Sequence, residues 1–302
     1  MSRYGKVAVL YGGSSSEREV SLKSGAAVLT ALRSRGIDAH GIDAQSGLVA
    51  ALLGGGYDRA FIALHGRLGE DGAVQGLLEV LGIPYTGSGV AASAVAMDKA
   101  LSKAILRSAQ LPTPDSCVLT SERDLPLAAA LGFPLVIKPL SEGSSIGVSK
   151  VHLPADLARA YQEACRFGPV LAERCICGPE YTCAILGARA LPTIRLETPH
   201  EIYDYEAKYV LNTTRYHCPA GLTAAAEADI QALAMNAFKA LGGRGWGRVD
   251  IMADAQGRFY VLELNTVPGM TDHSLVPMAA RAAGLGFADL VEAILAETLE
   301  AS

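Results

Sequence analysis

Two apolar runs, Trp246-Gly-Arg-Val-Asp-Ile-Met252 and Phe259-Tyr-Val-Leu-Glu-Leu-Asn265, carry charged and amide side chains at alternate positions. Between them Asp254-Ala-Gln-Gly257 is turn chemistry, so the runs are expected to pair as a hairpin. Side chains alternate along a strand, which places Arg248 and Asp250 on one face and likewise Glu263 and Asn265 on one face. The remaining positions are mostly apolar, so the hairpin is expected to be largely buried. Charges in such a sheet are costly unless they are paired or hold a cation. Two arrangements satisfy that demand: a structural Arg–Asp–Glu network, or a metal held by Asp250, Glu263 and Asn265. Oxygen-only donors suit Mg²⁺ rather than Zn²⁺, and Mg²⁺ favours sites that a substrate phosphate completes.

The rest of the chain gives this hairpin an α/β context. Val7–Tyr11, Ile37–Ile42 and Phe61–His65 read as strands, with helices expected at Arg18–Ser34 and Val74–Leu81. Such alternation implies a parallel sheet, with ligands beyond the carboxyl ends of its strands, here Gly12-Gly-Ser-Ser-Ser-Glu17 and His65-Gly66. A second stretch opens with a Lys-bearing helix at Met97–Arg107 and reaches the strand Pro134–Lys138 and the loop Ser141-Glu-Gly-Ser-Ser-Ile-Gly147. A third has strands at 181–186, 190–197, 246–253 and 258–264, a helix at 223–241 and two C-terminal helices. The polar, aromatic segment 199–221 within it reads as structureless. The texture changes divide the chain at 1–96, 97–179 and 180–302.

Several of these segments admit both a chemical and a plain structural reading. The glycine-rich loop after Lys138 can cradle phosphate through its amides, or merely join two strands; a lysine ending an apolar strand needs an anion in either case. Ser14-x-x-Glu17 opens a helix and fits an anion site or a capping box. A nicotinamide fingerprint is absent, although Asp43 lies near the matching acidic position. Tyr203-Asp-Tyr-Glu-Ala-Lys-Tyr209 sits in a long loop of the kind that forms lids, or a solvated surface. Gly269 and the amides near Ser274 are candidate anion donors, while His65 and His273 fit structural roles as well as chemical ones.

The 302 residues suffice for two or three packed units, and 50% hydrophobic with 19% charged residues is an ordinary globular balance. A net charge of -5 argues against nucleic-acid and membrane-surface partners. No apolar run approaches a membrane span, and the N-terminus lacks a signal-peptide pattern. The six cysteines show neither CxxC nor a paired His motif, so reduced thiols and a cytoplasmic location are expected.

Together the segments resemble the D-alanine–D-alanine ligase family of the ATP-grasp superfamily. The resemblance rests on GGSSSEREVSLKSG at 12–25, ALHGRLGEDGAVQG at 63–76, PYTGSGVAASAVAMDK at 84–99 and VIKPLSEGSSIGVSK at 136–150. It continues through YDYEAKY at 203–209, GWGRVDIM at 245–252 and LELNTVPGMTDHSLVP at 262–277, so it covers essentially the whole chain. It implies a three-domain α/β ATP-grasp architecture, with a Rossmann-like N-terminal parallel sheet and a nucleotide cleft between central and C-terminal domains. The implied activity joins two D-alanines through an acyl phosphate at the expense of ATP, with two Mg²⁺ ions (Mn²⁺ substituting), in a homodimer.

By the same resemblance, Lys99, Lys138 and Lys208 would neutralise ATP phosphates beneath a loop bearing Ser144 and Ser145. Glu173, Arg174, Cys175 and Ile176 would form the adenine hinge, mainly through backbone groups, and Glu180 would hold the ribose. Asp250, Glu263 and Asn265 would ligate the metal ions. Glu17 would take the first D-alanine's ammonium, with His65 beside it, and Ser274 and Leu275 the second D-alanine's carboxylate. Arg248 and Gly269 would stabilise the oxyanion, and Glu17, Ser144 and Tyr209 would form a trio tying the lid (199–221) to both other domains. Cys175 stands where the family often has an aromatic residue, Leu140 where smaller residues are usual, and Leu264 where Ala or Val is commoner. A sister ligase using D-lactate or D-serine, an ATP-binding protein without catalysis, and a dehydrogenase are the competing readings. Tyr209 counts against the D-lactate form.

Overall fold

The computed structural model describes residues 3–143, 146–198 and 214–299. β1 (Val7–Tyr11) is apolar and buried over its first four residues. It ends at Gly12 and Gly13, both left-handed at φ 75° and 74°, a conformation that turns the chain out of the sheet at little cost for glycine. α1 (Arg18–Ser34) buries Val20, Ser24, Val28, Ala31 and Leu32, spaced as one helical stripe. It lies so close on β1 that a Cβ at Gly25 would stand 2.3 Å from that of Tyr11. β2 (Ala39–Asp43), α2 (Leu48–Gly55), β3 (Arg59–Ile62) and α3 (Ala73–Val80) complete the unit, and the parallel sheet runs β2-β1-β3. The third strand thus starts and ends earlier than its apolar run suggests, and α2 was not anticipated.

The Lys-bearing helix expected at Met97–Arg107 is Lys99–Ser108, and an unanticipated helix precedes it. α4 (Val90–Met97) stops at Asp98, which is extended and caps α5 (Lys99–Ser108) by accepting from the Ala100 and Leu101 amides at 2.9 and 3.0 Å. The break makes Lys99 the first residue of a new helix. Next come β4 (Ser116–Leu119), α6 (Leu125–Ala129), β5 (Leu135–Pro139), β6 (Ser149–Val151), α7 (Leu157–Ala164) and β7 (Val170–Arg174), in an antiparallel sheet ordered β4-β7-β5-β6.

The last sheet contains β8 (Glu180–Leu186), β9 (Arg189–Ala190), β10 (Ile194–Glu197), β11 (Arg215–His217), β12 (Trp246–Ala253) and β13 (Phe259–Asn265). Its order is β11-β10-β8-β12-β13, with β9 against β8. β12 and β13 form the expected antiparallel hairpin, and β8 pairs with the other edge of β12. β11 corrects the reading of 199–221 as structureless: Arg215, Tyr216 and His217 pair with Glu197, Leu196 and Arg195. α8 (Ala224–Ala240) packs on the hairpin, and α9 (Leu275–Ala282) and α10 (Phe287–Ala296) close the chain.

One apolar core joins the first sheet to the C-terminal segment: Leu10, Val28, Phe61 and Leu64 share it with Trp246, Val267, Val276 and Leu290. A second lies between α8 and the hairpin, and a third inside the central sheet around Leu135, Ile137 and Ala172. No helix of the described residues is long and apolar enough to cross a membrane. Ile251, fully buried in β12 between two neighbouring strands, is expected to lose about 2–5 kcal/mol on truncation to alanine. Denaturant titration of Ile251→Ala measures this, and a loss below 1 kcal/mol (about one CH₂) would place the centre of the core elsewhere.

Candidate active site

The four polar residues of the hairpin stand together, since Arg248 is the register partner of Asn265 and Asp250 that of Glu263. Arg248 clasps Asp250, its Nε and Nη2 donating to Oδ1 and Oδ2 at 2.8 and 2.7 Å. Thr182 Oγ1, on β8, donates to Oδ1 at 2.6 Å, and Asn265 Nδ2 donates to Oδ2 at 2.9 Å. Four donors occupy the acceptor sites of one carboxylate. Lys99 comes from α5 to the same face, with Nζ 3.6 Å from Glu263 Oε2 and donating to the Glu142 carbonyl at 2.8 Å.

Lys138, at the end of β5, has the anion its position requires, and that anion is Glu173 on β7. Its Nζ donates to Glu173 Oε1 at 2.5 Å, while Lys103 Nζ lies 2.8 Å from Oε2 and donates to Thr113 Oγ1 at 2.9 Å. All three charged side chains are buried. Burial opposes ionisation of Glu173, but Lys103 and Lys138 outweigh it and hold the carboxyl down to about 2. Burial likewise works against the charge of Lys138, yet Glu173 and then Glu263 lift it above the ordinary lysine value. Burial lowers Lys103, with Glu173 only partly compensating. The Glu173 side chain is thus committed to the two lysines. The hinge amides are also partly committed, since Arg174 N donates to the Asp115 carbonyl at 2.8 Å and Cys175 N to the Pro134 carbonyl at 3.0 Å.

These groups border a cavity of about 260 Å³ walled by Lys99, Lys138, Cys175, Ile176, Glu180 and Asp250. A neighbouring cavity of about 140 Å³ is walled by Glu17, His65, Glu70, Gly269, Ser274 and Leu275. Lys99, Arg248, Glu263 and Leu275 line both, so the hairpin face stands at their junction.

Around the smaller cavity, Glu17 is the residue before α1, and its side chain makes no capping bond. The Ser14–Glu17 capping box is thus not formed. The Glu17 carboxylate instead lies against Gly66 and Gly143, where added Cβ atoms would come within 3.0 and 3.2 Å of Oε2. His65 is buried, its Nδ1 2.9 Å from the Val267 carbonyl and its Nε2 2.9 Å from Ser24 Oγ. Burial pushes its pKa down, so the neutral ring donates through Nδ1 and accepts at Nε2. Ser24 Oγ also accepts from the Met270 amide at 3.1 Å, which fixes the loop before Ser274 to α1. Gly269 is required by close approach, because a Cβ there would meet Ser274 Oγ at 2.8 Å. Ser274 precedes α9, and its Oγ accepts from the Thr271 amide at 2.9 Å. The dehydrogenase reading loses Asp43, which is engaged by Arg18 at 2.8 and 2.6 Å and held below the usual carboxylate range by that guanidinium.

Two participants escaped the sequence reading. Glu70 lines the smaller cavity and accepts from the Gly66 amide at 3.2 Å. Loss of hydration, and then the charge of Glu17, raise its carboxyl well above the usual range. Its setting, Gly69-Glu70-Asp71-Gly72, reads as turn. Lys103 carried a signal that could have exposed it: it lies four residues after Lys99 on one helix, a repulsive spacing unless an anion is near. Ser144, Ser145, Lys208, Tyr209 and most of the 199–221 lid lie outside the described residues. Tyr216 of β11 reaches the smaller cavity.

Comparison with known proteins gives the same direction throughout. A family model described as the D-ala D-ala ligase C-terminus matches residues 105–296, and one for the D-ala D-ala ligase N-terminus matches 50–88. A D-alanine–D-alanine ligase of Ectopseudomonas mendocina is 58% identical over 300 residues, 99% of this chain and 96% of that protein. One of Nitrosococcus oceani is 58% identical over 299 residues, 98% of this chain and 95% of that protein. The crystal structure of the Bacillus anthracis D-alanine–D-alanine ligase superposes with TM-score 0.88 at 37% identity over 98% of both chains. The VanG D-Ala:D-Ser ligase of Enterococcus faecalis superposes with TM-score 0.85 at 30% identity, over 98% of this chain and 100% of that one.

Removing the charge of Glu173 leaves two buried lysines without their partner. Glu173→Gln is expected to cost about 3–5 kcal/mol. The carboxylate's contribution is present above the unfolded value of 4.5 and is lost as pH falls towards about 2. Stability measured across that window should therefore fall more steeply in the parent than in Glu173→Gln. Parallel curves would count against the triad.

Proposed function

This chain belongs to the D-alanine–D-alanine ligase family, and we infer from that membership and from its cleft that it joins two D-alanines into D-alanyl-D-alanine while ATP becomes ADP and phosphate, for peptidoglycan synthesis. The observation that carries the reading is the polar hairpin face, Arg248, Asp250, Glu263 and Asn265, standing between two adjoining cavities. The larger is assigned to ATP and the smaller to the amino acids.

A carboxylate is a poor acyl donor. The first D-alanine's carboxylate attacks the terminal phosphorus of ATP, ADP leaves, and D-alanyl phosphate forms. Lys99 and Lys138 are assigned to neutralise the transferring phosphoryl group, together with Lys208 and the Ser144–Ser145 loop. Glu173, paired with Lys103, orients Lys138, which supports a positioning role for that carboxylate. Cys175 and Ile176 wall the adenine end, and Glu180 is assigned to the ribose. Mg²⁺, or Mn²⁺ in its place, would be held by Asp250, Glu263 and Asn265. Their oxygen donors, on the paired strands β12 and β13, fit such an ion. It would supply charge neutralisation to the phosphates. Asp250 accepts from Arg248, Thr182 and Asn265, so it would serve as a ligand only if Arg248 gave up its clasp.

In the second step the neutral amine of the second D-alanine attacks the acyl carbon, a tetrahedral oxyanion forms, and phosphate departs as the amide is completed. Arg248 and the Gly269 amide are assigned to the oxyanion, and the start of α9, with Ser274 and Leu275, to the incoming carboxylate. Glu17 takes the first ammonium and, with Ser144 and Tyr209, links the parts that close over the site. His65 acts through the loop it fixes. Glu70 stands beside Glu17 with its carboxyl raised by burial and then by the Glu17 charge, which favours its neutral form there. A division at 1–96, 97–179 and 180–302 is supported by each of the three sheets falling within one stretch. A cytoplasmic homodimer completes the reading.

Phosphate release from Mg²⁺–ATP, with D-alanine, L-alanine, D-serine and D-lactate tried singly and D-alanine paired with each of the others, tests the function. D-alanyl-D-alanine should dominate by mass, and absence of product from every pair would overturn the assignment. Glu263→Gln should abolish ligation while leaving the circular dichroism unchanged; near-normal turnover at saturating Mg²⁺ would remove it from the metal site. Glu17→Gln should raise the KM of the first D-alanine by about 10- to 100-fold, the weight of a charged hydrogen bond. An unchanged KM would leave Glu17 without its ammonium role.

A further inference from the structure

The adenine end of the larger cavity carries a pair of thiols that the ligase reaction does not use. After β7 the chain continues as Cys175-Ile176-Cys177, with Ile176 buried and both cysteines lining the cavity. Their sulfurs are 3.9 Å apart, the Cys177 thiol donating to Cys175. Cys177 is exposed and Cys175 half-buried, so the pair is open from the cleft. The backbone at Cys175 is held by its hydrogen bond to Pro134. Cys175, like Cys165, Cys183 and Cys218, also lies against a backbone carbonyl, but among the described residues only Cys175 and Cys177 are in thiol–thiol contact.

The chemistry of the pair selects its ligand. A disulfide would require the sulfurs to close to about 2.0 Å against that pinned backbone. A structural metal needs about four ligands, and among the described residues there is no group of three or more His, Cys, Asp or Glu arranged to hold one. A ligand that bonds two neighbouring sulfurs through one atom meets neither obstacle. We propose that Cys175 and Cys177 are a dithiol receptor for trivalent arsenicals, and that its occupation excludes nucleotide from the cleft. With an organoarsine oxide, two S–H bonds and the As=O bond are exchanged for two As–S bonds and one water. Arsenic stays trivalent, and both thiol protons leave in the water. Arsenite reacts in the same way, losing two waters. Burial, and then Cys177, push the Cys175 thiol up to about 11, so it supplies its proton at neutral pH. The exclusion of nucleotide rests on the assignment of the larger cavity to ATP; the receptor itself does not.

The full-length protein is treated with phenylarsine oxide, washed with excess 2-mercaptoethanol and weighed by intact mass spectrometry. One equivalent should survive the monothiol and be stripped by 2,3-dimercaptopropanol. Cys177→Ser and Cys175→Ser, each checked for folding by circular dichroism, should retain none. Saturating Mg²⁺–ATP should slow capture at least tenfold. No retained arsenical in the parent, or equal retention in folded Cys177→Ser, would overturn the receptor. ATP binding to the untreated protein is measured separately by calorimetry. If ATP binds without slowing capture, the exclusion is overturned. If ATP does not bind at all while arsenical is retained, the receptor stands and the ATP assignment of the cavity falls.

Discussion

The clasp of Arg248 on Asp250 governs the centre of this molecule. Both residues lie on β12, an otherwise apolar strand, and neither charge is tolerable there without the other. Thr182 and Asn265 complete the carboxylate from the two neighbouring strands, so one anion ties three strands at the floor of the cleft. A pair of this kind is weak evidence for stability, because apolar residues could fill the same space. Its value is chemical. On the proposed reading the guanidinium would serve the oxyanion and the carboxylate would help to hold a cation, so the clasp keeps both groups at the junction of the two cavities.

Other buried charges support this floor from either side. Lys103 and Lys138 share Glu173, and the lysine facing the cleft is thereby kept charged despite its burial. On the far side neutral His65 joins Ser24 of α1 to the Val267 carbonyl, and so couples the parallel sheet to the loop that presents Gly269 and Ser274. The first links α5 to two strands of the central sheet, and the second links α1 to a distant loop. The shared apolar core of the first and last segments, with Phe61 tilted against Trp246, gives them a common foundation.

Much of this was legible in the chain. The polar alternation in 246–252 and 259–265 placed four residues on the faces they occupy, because strand periodicity is local. α1 has the limits its apolar stripe suggests, whereas the helix expected from Met97 starts at Lys99, because the Asp98 side chain prefers capping to helix interior. β11 escaped notice because three residues, Arg215, Tyr216 and His217, carry no alternating apolar signal; β10 makes them a strand. Ser14-x-x-Glu17 has the pattern of a capping box, but the carboxylate faces Gly66 and Gly143 instead.

The sequence by itself determined the element types, the turn glycines, the polar face of the hairpin and the family to which the chain belongs, since all rest on residue kind and short spacing. Tertiary structure alone decided which anion each cation meets. Lys138 finds Glu173 across β5 and β7, His65 finds Val267 two hundred residues away, and Glu70 comes to wall the cleft beside Glu17 with its carboxyl pushed up by burial. Those choices depend on strand register and on the loss of water where sheets close together, and neither is encoded in any one segment.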